Sequence, residues 1–138
     1  MTKSLKKPQK LPKIGKLQKE CDTLIQTLGK AKMPRCEACG VPSQVIHHWI
    51  EKSRSSNLRY NWENLIPLCN PCHSKIHNIF GNSIVGGLNI AEVIINKRGR
   101  EWKERMDIEG RKRIKVDRQH YETIKGRLEV DNISTIRV

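Results

Sequence analysis

Two Cys-x-x-Cys pairs, Cys36-Glu-Ala-Cys39 and Cys69-Asn-Pro-Cys72, stand 29 residues apart and constrain this chain more than any other feature. Each pair can present two thiolates to one tetrahedral ion at about 2.3 Å, and zinc is the usual occupant of such a set. Gly40, directly after the first pair, permits the tight turn that a knuckle needs. A redox-active pair of the thioredoxin type would instead place a single Cys-x-x-Cys at a helix start within a βαβ pattern, which is missing here. The fifth cysteine, Cys21, makes the count odd. With no secretory signal at the start, this points to metal in a reducing compartment rather than to disulfides, and a cytoplasmic location is expected.

A staple of this kind is needed because the core is small. The chain has 138 residues, a length for one domain with tails, and only six aromatics: Trp49, Trp62, Trp102, Tyr60, Tyr121 and Phe80. The net charge of +13 exceeds what a solvated surface requires, so a polyanionic partner is expected. The excess is uneven. Residues 1–35 carry ten basic and two acidic side chains, residues 36–80 four and three, and residues 81–138 thirteen and nine. The longest apolar stretch, Ile84 to Ile95, is broken by Asn89 and Glu92 and is too short to cross a bilayer.

Lysines recur at every third residue from Lys7 to Lys19, and Pro8 and Pro12 oppose helix, so residues 1–12 read as a mobile basic arm. Ile14, Leu17, Cys21, Leu24 and Leu28 then fall at helical spacing, and Gly29 suits a C′ position. This predicts an amphipathic helix over about 13–28, within a 13–30 segment, with Cys21 as a packed core thiol. Within the metal-organised block 33–81, Gln44 to Trp49 reads as a strand, Glu51 to Trp62 as a polar loop and Leu65 to Leu68 as a second strand. Asn70 and Pro71 give an N-cap and N1 pair, and Gly81 a stop, for a helix from Pro71 to Phe80. Residues 82–130 read as helical. Leu88 to Asn96 and Arg100 to Met106 are separated by a turn at Lys97-Arg98-Gly99, and Asp117 to Leu128 is N-capped by Asp117. Residues 131–138 are a tail without pattern.

Four histidines follow an arrangement that the cysteines do not need: His47-His48, then Asn64, then His73 and His77. His73 and His77, four apart on the expected helix, share a face and can grip one ion. Cys72 and His73 differ by about 100° around the axis, so one helix can serve two metals. His47 and His48, adjacent in a strand, point to opposite faces. One is then a ligand and the other is left as a base near neutral pH, the division a metal-dependent phosphodiesterase requires. His120 has no partner motif and reads as structural.

Together these residues resemble the HNH nucleases, whose core is the ββα-metal or His-Me finger. The matching run is Cys36-x2-Cys39, His47-His48, Glu63-Asn64-Leu65, Leu68-Cys69-x2-Cys72-His73 and His77. The Asn64, His73 and His77 spacing is similar to that of the nuclease colicins, and the cysteines to the zinc-bearing branch found in phage and bacterial proteins. The resemblance implies an α+β fold, a zinc-stabilised ββα-metal core flanked by N- and C-terminal helices. It implies His48 as general base, His47, His73 and His77 as ligands of the catalytic ion, and Asn64 as the residue orienting the base. It implies cleavage to 5′-phosphate and 3′-hydroxyl ends. Imidazoles favour transition ions, whereas cellular phosphodiesterases most often meet magnesium. Magnesium or manganese is expected at the histidines and zinc at the thiolates.

Arg54, Arg59 and Lys75 flank the expected site and can hold DNA phosphates without reading sequence. The N-terminal lysines and the run Arg111 to Lys115 would add salt-dependent affinity. Tyr60 and Trp62 read as packing against the core rather than stacking on bases. The pattern from Ile90 to Leu128 faintly resembles phage recombination endonucleases of the NinG type, which implies recombination intermediates as substrates, with packaging a further expected role. A double-strand break from one active site needs two copies or two turns, so a homodimer or a phage or bacterial DNA-processing partner fits this reading. Two alternatives stand beside it: a zinc-organised nucleic-acid-binding module without catalysis, and a nuclease directed at RNA.

Overall fold

The computed structural model describes residues 11–77, 84–85 and 88–136. Helix α1 (Ile14–Lys32) leads into a knuckle at Cys36–Cys39, then strand β1 (Val45–His48), a long loop, a single 3-10 turn (Trp62–Asn64) and strand β2 (Leu65–Leu68). Helix α2 (Asn70–Ile76) follows at once. A two-residue hairpin, β3 (Ile84–Val85) and β4 (Leu88–Asn89), precedes α3 (Ile90–Arg98), α4 (Arg100–Gly110) and α5 (Arg118–Ile136). This is the α+β arrangement that the sequence implies.

β1 and β2 pair antiparallel, with Ile46 opposite Pro67, His47 opposite Ile66 and His48 opposite Leu65. The two-strand sheet separates two apolar clusters. On one side Leu17, Cys21, Ile25 and Leu28 of α1 meet Ile46, Tyr60, Leu65, Tyr121 and Leu128, so α1 and α5 cover one face. On the other side Ile66 and Leu68 meet Leu58, Ile90, Ile94, Trp102 and Met106, together with Cys36, Cys69 and Cys72. β2 is thus buried on both faces despite its length of four residues, because helices flank it as in larger mixed sheets.

The free edge of β1 is closed by a side chain. The amide of Gln26 accepts from Ile46 N–H at 2.9 Å and donates to Ile46 C=O at 2.9 Å, doing for that residue what another strand would. Three residues further along α1, Gly29 allows the helix to lie against the sheet. A Cβ there would meet Ile46 Cγ1 at 2.4 Å. The expected stop at Gly29 is therefore corrected. The helix continues to Lys32, and the glycine serves close approach to β1 rather than a turn.

β2 coincides with its expected span, and Gly99, at φ +96°, separates α3 and α4, although Lys97 and Arg98 of the expected turn belong to the last turn of α3. Asp117 caps α5 as expected, its Oδ1 accepting from His120 N–H at 2.9 Å. Other limits differ. Cys69 rather than Asn70 is the N-cap of α2. Leu88 lies in a hairpin strand, and α5 runs through residues 131–136, which the sequence pattern leaves without structure. Residues 1–10 of the basic arm, residues 78–80 of the expected α2, and the Gly81 stop lie outside the described residues. Among the described residues no helix is long and apolar enough to cross a membrane.

Candidate metal centres and active site

The first knuckle is turned by Gly40 at φ +83°, with Gly40 N–H donating to Cys36 C=O at 2.9 Å. It is fixed to the sheet where Glu37 N–H donates to Pro67 C=O at 2.9 Å. The second knuckle enters the first turn of α2, where Pro71 needs no backbone donor. Their four thiols converge, with all Sγ atoms within 4.8 Å of one another and Cys39 Sγ 3.6 Å from Cys69 Sγ. A tetrahedral zinc with bonds of about 2.3 Å has sulfur–sulfur edges of about 3.7 Å, so the donor set fits that ion. Burial and the neighbouring sulfurs raise the Cys72 thiol. Burial acts the same way on Cys36, but backbone N–H groups of Cys69, Cys39 and Ala38 outweigh it and bring that thiol down to about 7.

Arg98 locks this region from outside the metal-binding block. Its Nε and Nη2 fork onto the Glu37 carboxylate at 2.7 Å each, while Nη1 and Nη2 donate to the carbonyls of Glu63 and Leu65. One guanidinium thus binds the knuckle, the 3-10 turn and β2 together.

The strand pleat divides the adjacent histidines. His47 faces α2, where its ring lies 5.3 Å from that of His73 and 5.0 Å from that of His77, centroid to centroid. His73 and His77 lie one turn apart, and their Nε2 atoms approach to 3.0 Å. The three rings offer nitrogens within 4.8 Å of one another, a set suited to one ion. Burial, followed by the neighbouring imidazoles, lowers His47 to about 3, and burial also lowers His73. His47 and His73 are therefore neutral near pH 7, with lone pairs ready for coordination.

His48 turns to the α1 side of the strand and is buried. Its Nε2 lies 2.9 Å from Arg59 C=O. A carbonyl only accepts, so Nε2 carries the proton and Nδ1 keeps the lone pair. Burial lowers His48 to about 4 against the opposing pull of this hydrogen bond. His47, His48, His73 and His77 all line one cavity of about 450 Å³.

Asn64 is fully buried and binds the loop at three points. Its Oδ1 accepts from Ile50 N–H at 2.8 Å, and its Nδ2 donates to Ile50 C=O at 3.1 Å and Leu58 C=O at 3.3 Å. Leu58 immediately precedes the carbonyl that holds His48, so Asn64 reaches the imidazole through the loop.

The basic residues expected to touch DNA are dispersed. Arg59 forks onto Asp22 of α1 at 3.1 and 2.7 Å, and Tyr60 Oη donates to the same carboxylate at 2.9 Å. Its guanidinium thus anchors the loop. Lys75 lies on α2 between His73 and His77. Arg54 lines a different cavity, with Arg111 and Arg113. The histidine cavity is instead lined by Gln26, Glu51, Lys52 and Ser53, none singled out by the sequence. Helical spacing alone puts Gln26 among the polar positions of α1 and gives no sign that it reaches β1.

Fold and site together define a two-stranded, single-helix metal finger stapled by a four-cysteine centre. Residues 36–78 match the family model described as HNH endonuclease, so the chain carries an HNH endonuclease domain there, with the cysteine cluster of the zinc-bearing branch. That domain implies nucleic-acid cleavage as the general kind of activity. No curated protein and no solved structure matches the chain.

Proposed function

We infer that this protein is a divalent-metal-dependent endonuclease or nickase that hydrolyses DNA phosphodiester bonds. The observation that carries the reading is the opening of His48 and the His47, His73 and His77 cluster onto one cavity. A non-catalytic zinc module has no use for that convergence.

In this reading His47, His73 and His77 would hold magnesium or manganese, which would supply charge stabilisation for phosphodiester hydrolysis. His48 Nδ1 takes a proton from water as the water oxygen attacks phosphorus. The bond to the 3′ oxygen breaks, that oxygen acquires a proton from solvent, and 5′-phosphate and 3′-hydroxyl ends remain. The Arg59 carbonyl stabilises the imidazolium formed, and Asn64 holds the loop that carries this carbonyl. The four cysteines would hold structural zinc and take no part in the chemistry.

Purified protein incubated with supercoiled plasmid and manganese or magnesium should give nicked or linear product. His48→Ala should lower the rate by about 10²–10⁴-fold with zinc content unchanged. Full activity in that variant refutes the assignment of the base, and DNA retention without cleavage under any divalent ion refutes the enzyme. Matched RNA in parallel tests the choice of polymer. A panel of duplex, flap and four-way-junction DNA tests the recombination substrates that the NinG-type resemblance suggests.

A further inference from the structure

Arg54, Arg111 and Arg113 converge on one cavity of about 460 Å³ whose floor includes Ile50 and Gly110. All three are exposed, and none forms a side-chain hydrogen bond or ion pair with another described residue. The carboxylate in the lining, Asp107, is paired with Lys103 at 2.8 Å. Three unpaired guanidiniums on one concave surface repel one another, and an anion with several oxygens relieves that repulsion while using their planar donor forks.

The position of this cavity matters as much as its charge. Arg54 N–H donates to Glu51 C=O at 2.9 Å, closing the turn Glu51–Arg54. Glu51, Lys52 and Ser53 line the histidine cavity, while Ile50 and Arg54 line the arginine cavity, so a single turn separates the two. The far wall comes from the segment joining α4 to α5, outside the HNH match at residues 36–78. Asn57 holds that wall in place, its Nδ2 donating to Glu109 C=O at 2.9 Å at the end of α4.

We propose that Arg54, Arg111 and Arg113 form one binding site for a DNA backbone phosphate flanking the scissile one, which directs the strand across the Glu51–Arg54 turn. This rests on the nuclease reading above and adds to it a contact supplied by the C-terminal helical region. A phosphate here positions the strand and carries no base information.

The test uses full-length protein with His48→Ala to prevent cleavage, and anisotropy of a labelled duplex measured across a range of salt. Each phosphate neutralised contributes about 0.9 to the slope of log K against log salt. A single shared phosphate predicts that Arg54→Gln and the pair Arg111→Gln/Arg113→Gln each weaken binding. It predicts that the triple variant lowers the slope by about 0.9 in total rather than by three such steps. Lys115→Gln, on the same basic run but paired with Asp117, serves as the comparison and should change the slope less. Zinc content and thermal melts establish that the variants are folded. An unchanged slope in the triple variant, or a fall about three times as large, overturns the proposal while leaving the nuclease reading intact. Failure of the His48→Ala parent to bind DNA at all overturns both.

Discussion

His48 Nε2 stands 2.9 Å from the carbonyl oxygen of Arg59, eleven residues further along the chain. That carbonyl is fixed from two directions. The Arg59 side chain is clamped to α1 through Asp22, and Asn64 accepts from and donates to the backbone at Ile50 and donates to Leu58. Orientation of the imidazole is thus a property of the whole loop.

Asn64→Ala should therefore lower both stability and turnover. It leaves the N–H and C=O of Ile50 without partners in a half-buried place, while Leu58 C=O keeps its bond from Asn61 N–H, and the unpaired donor alone costs about 1–3 kcal/mol. Urea titration measures the loss. Cleavage assayed where the variant is still fully folded should show kcat reduced with KM nearly constant if, as proposed, this buried residue acts through His48. A fall in stability with unchanged kcat would make Asn64 a purely structural tie.

The clustering of the cysteines and histidines was legible in the sequence because its members come from short local units: two knuckles, one strand dipeptide and one helical turn. The same locality allowed the opposite facing of His47 and His48 to be read from the pleat. Arg59 and Gly29 were not legible in this way. The partner of Arg59 is Asp22, 37 residues away, and the contact of Gly29 is Ile46, on another element. Spacing within one segment holds no trace of either, so a surface arginine and a helix stop were the natural readings. Gln26 is a further example, a polar helical residue whose amide completes a strand edge.

Gly29→Ala tests the close approach of α1 to β1. In an isolated helix, alanine would gain about 1 kcal/mol over glycine. Here the added carbon would lie 2.4 Å from Ile46 Cγ1 and 2.8 Å from its Cδ1, close to a β-branched side chain. Overpacking of about 1–3 kcal/mol should outweigh the gain in propensity, so net destabilisation is expected. Ile46→Val in the same chain should recover part of it. A more stable Gly29→Ala protein would show that α1 can move away from the sheet at no cost.

Removal of zinc should separate the five cysteines into two classes. The four clustered thiols become reactive once the metal is chelated, whereas Cys21 is buried beneath α5 with its Sγ 3.6 Å from Tyr121 C=O. Ellman titration of zinc-loaded protein should find the clustered thiols protected, and chelator should release them together. Cys21 should follow only when the α1 and α5 cluster opens in denaturant. Rapid labelling of Cys21 in zinc-loaded protein would contradict the packing described for it.

That same cluster sets an alkaline limit on stability. Burial, then the negative charges of Asp22 and Glu20, raises the Cys21 thiol above its usual 9.0; burial, then Asp22, raises the Tyr60 phenol above its usual 10.0. Below pH 9 both groups are protonated in the folded and the unfolded chain, and their contribution is fully present. Above it the unfolded chain gains by ionising while the folded chain does not, so stability falls as pH rises. The decline is at most about 1.4 kcal/mol per pH unit for each group, beginning near pH 9 for Cys21 and near pH 10 for Tyr60. Melting temperatures of zinc-loaded protein, whose clustered thiols are already ionised, should follow this course. Cys21→Ala should flatten the first part of the decline, and Tyr60→Phe the second, although the latter also loses the 2.9 Å bond to Asp22. If both variants decline as steeply as the parent, ionisation elsewhere governs the alkaline transition, and the buried thiol and phenol are not its source.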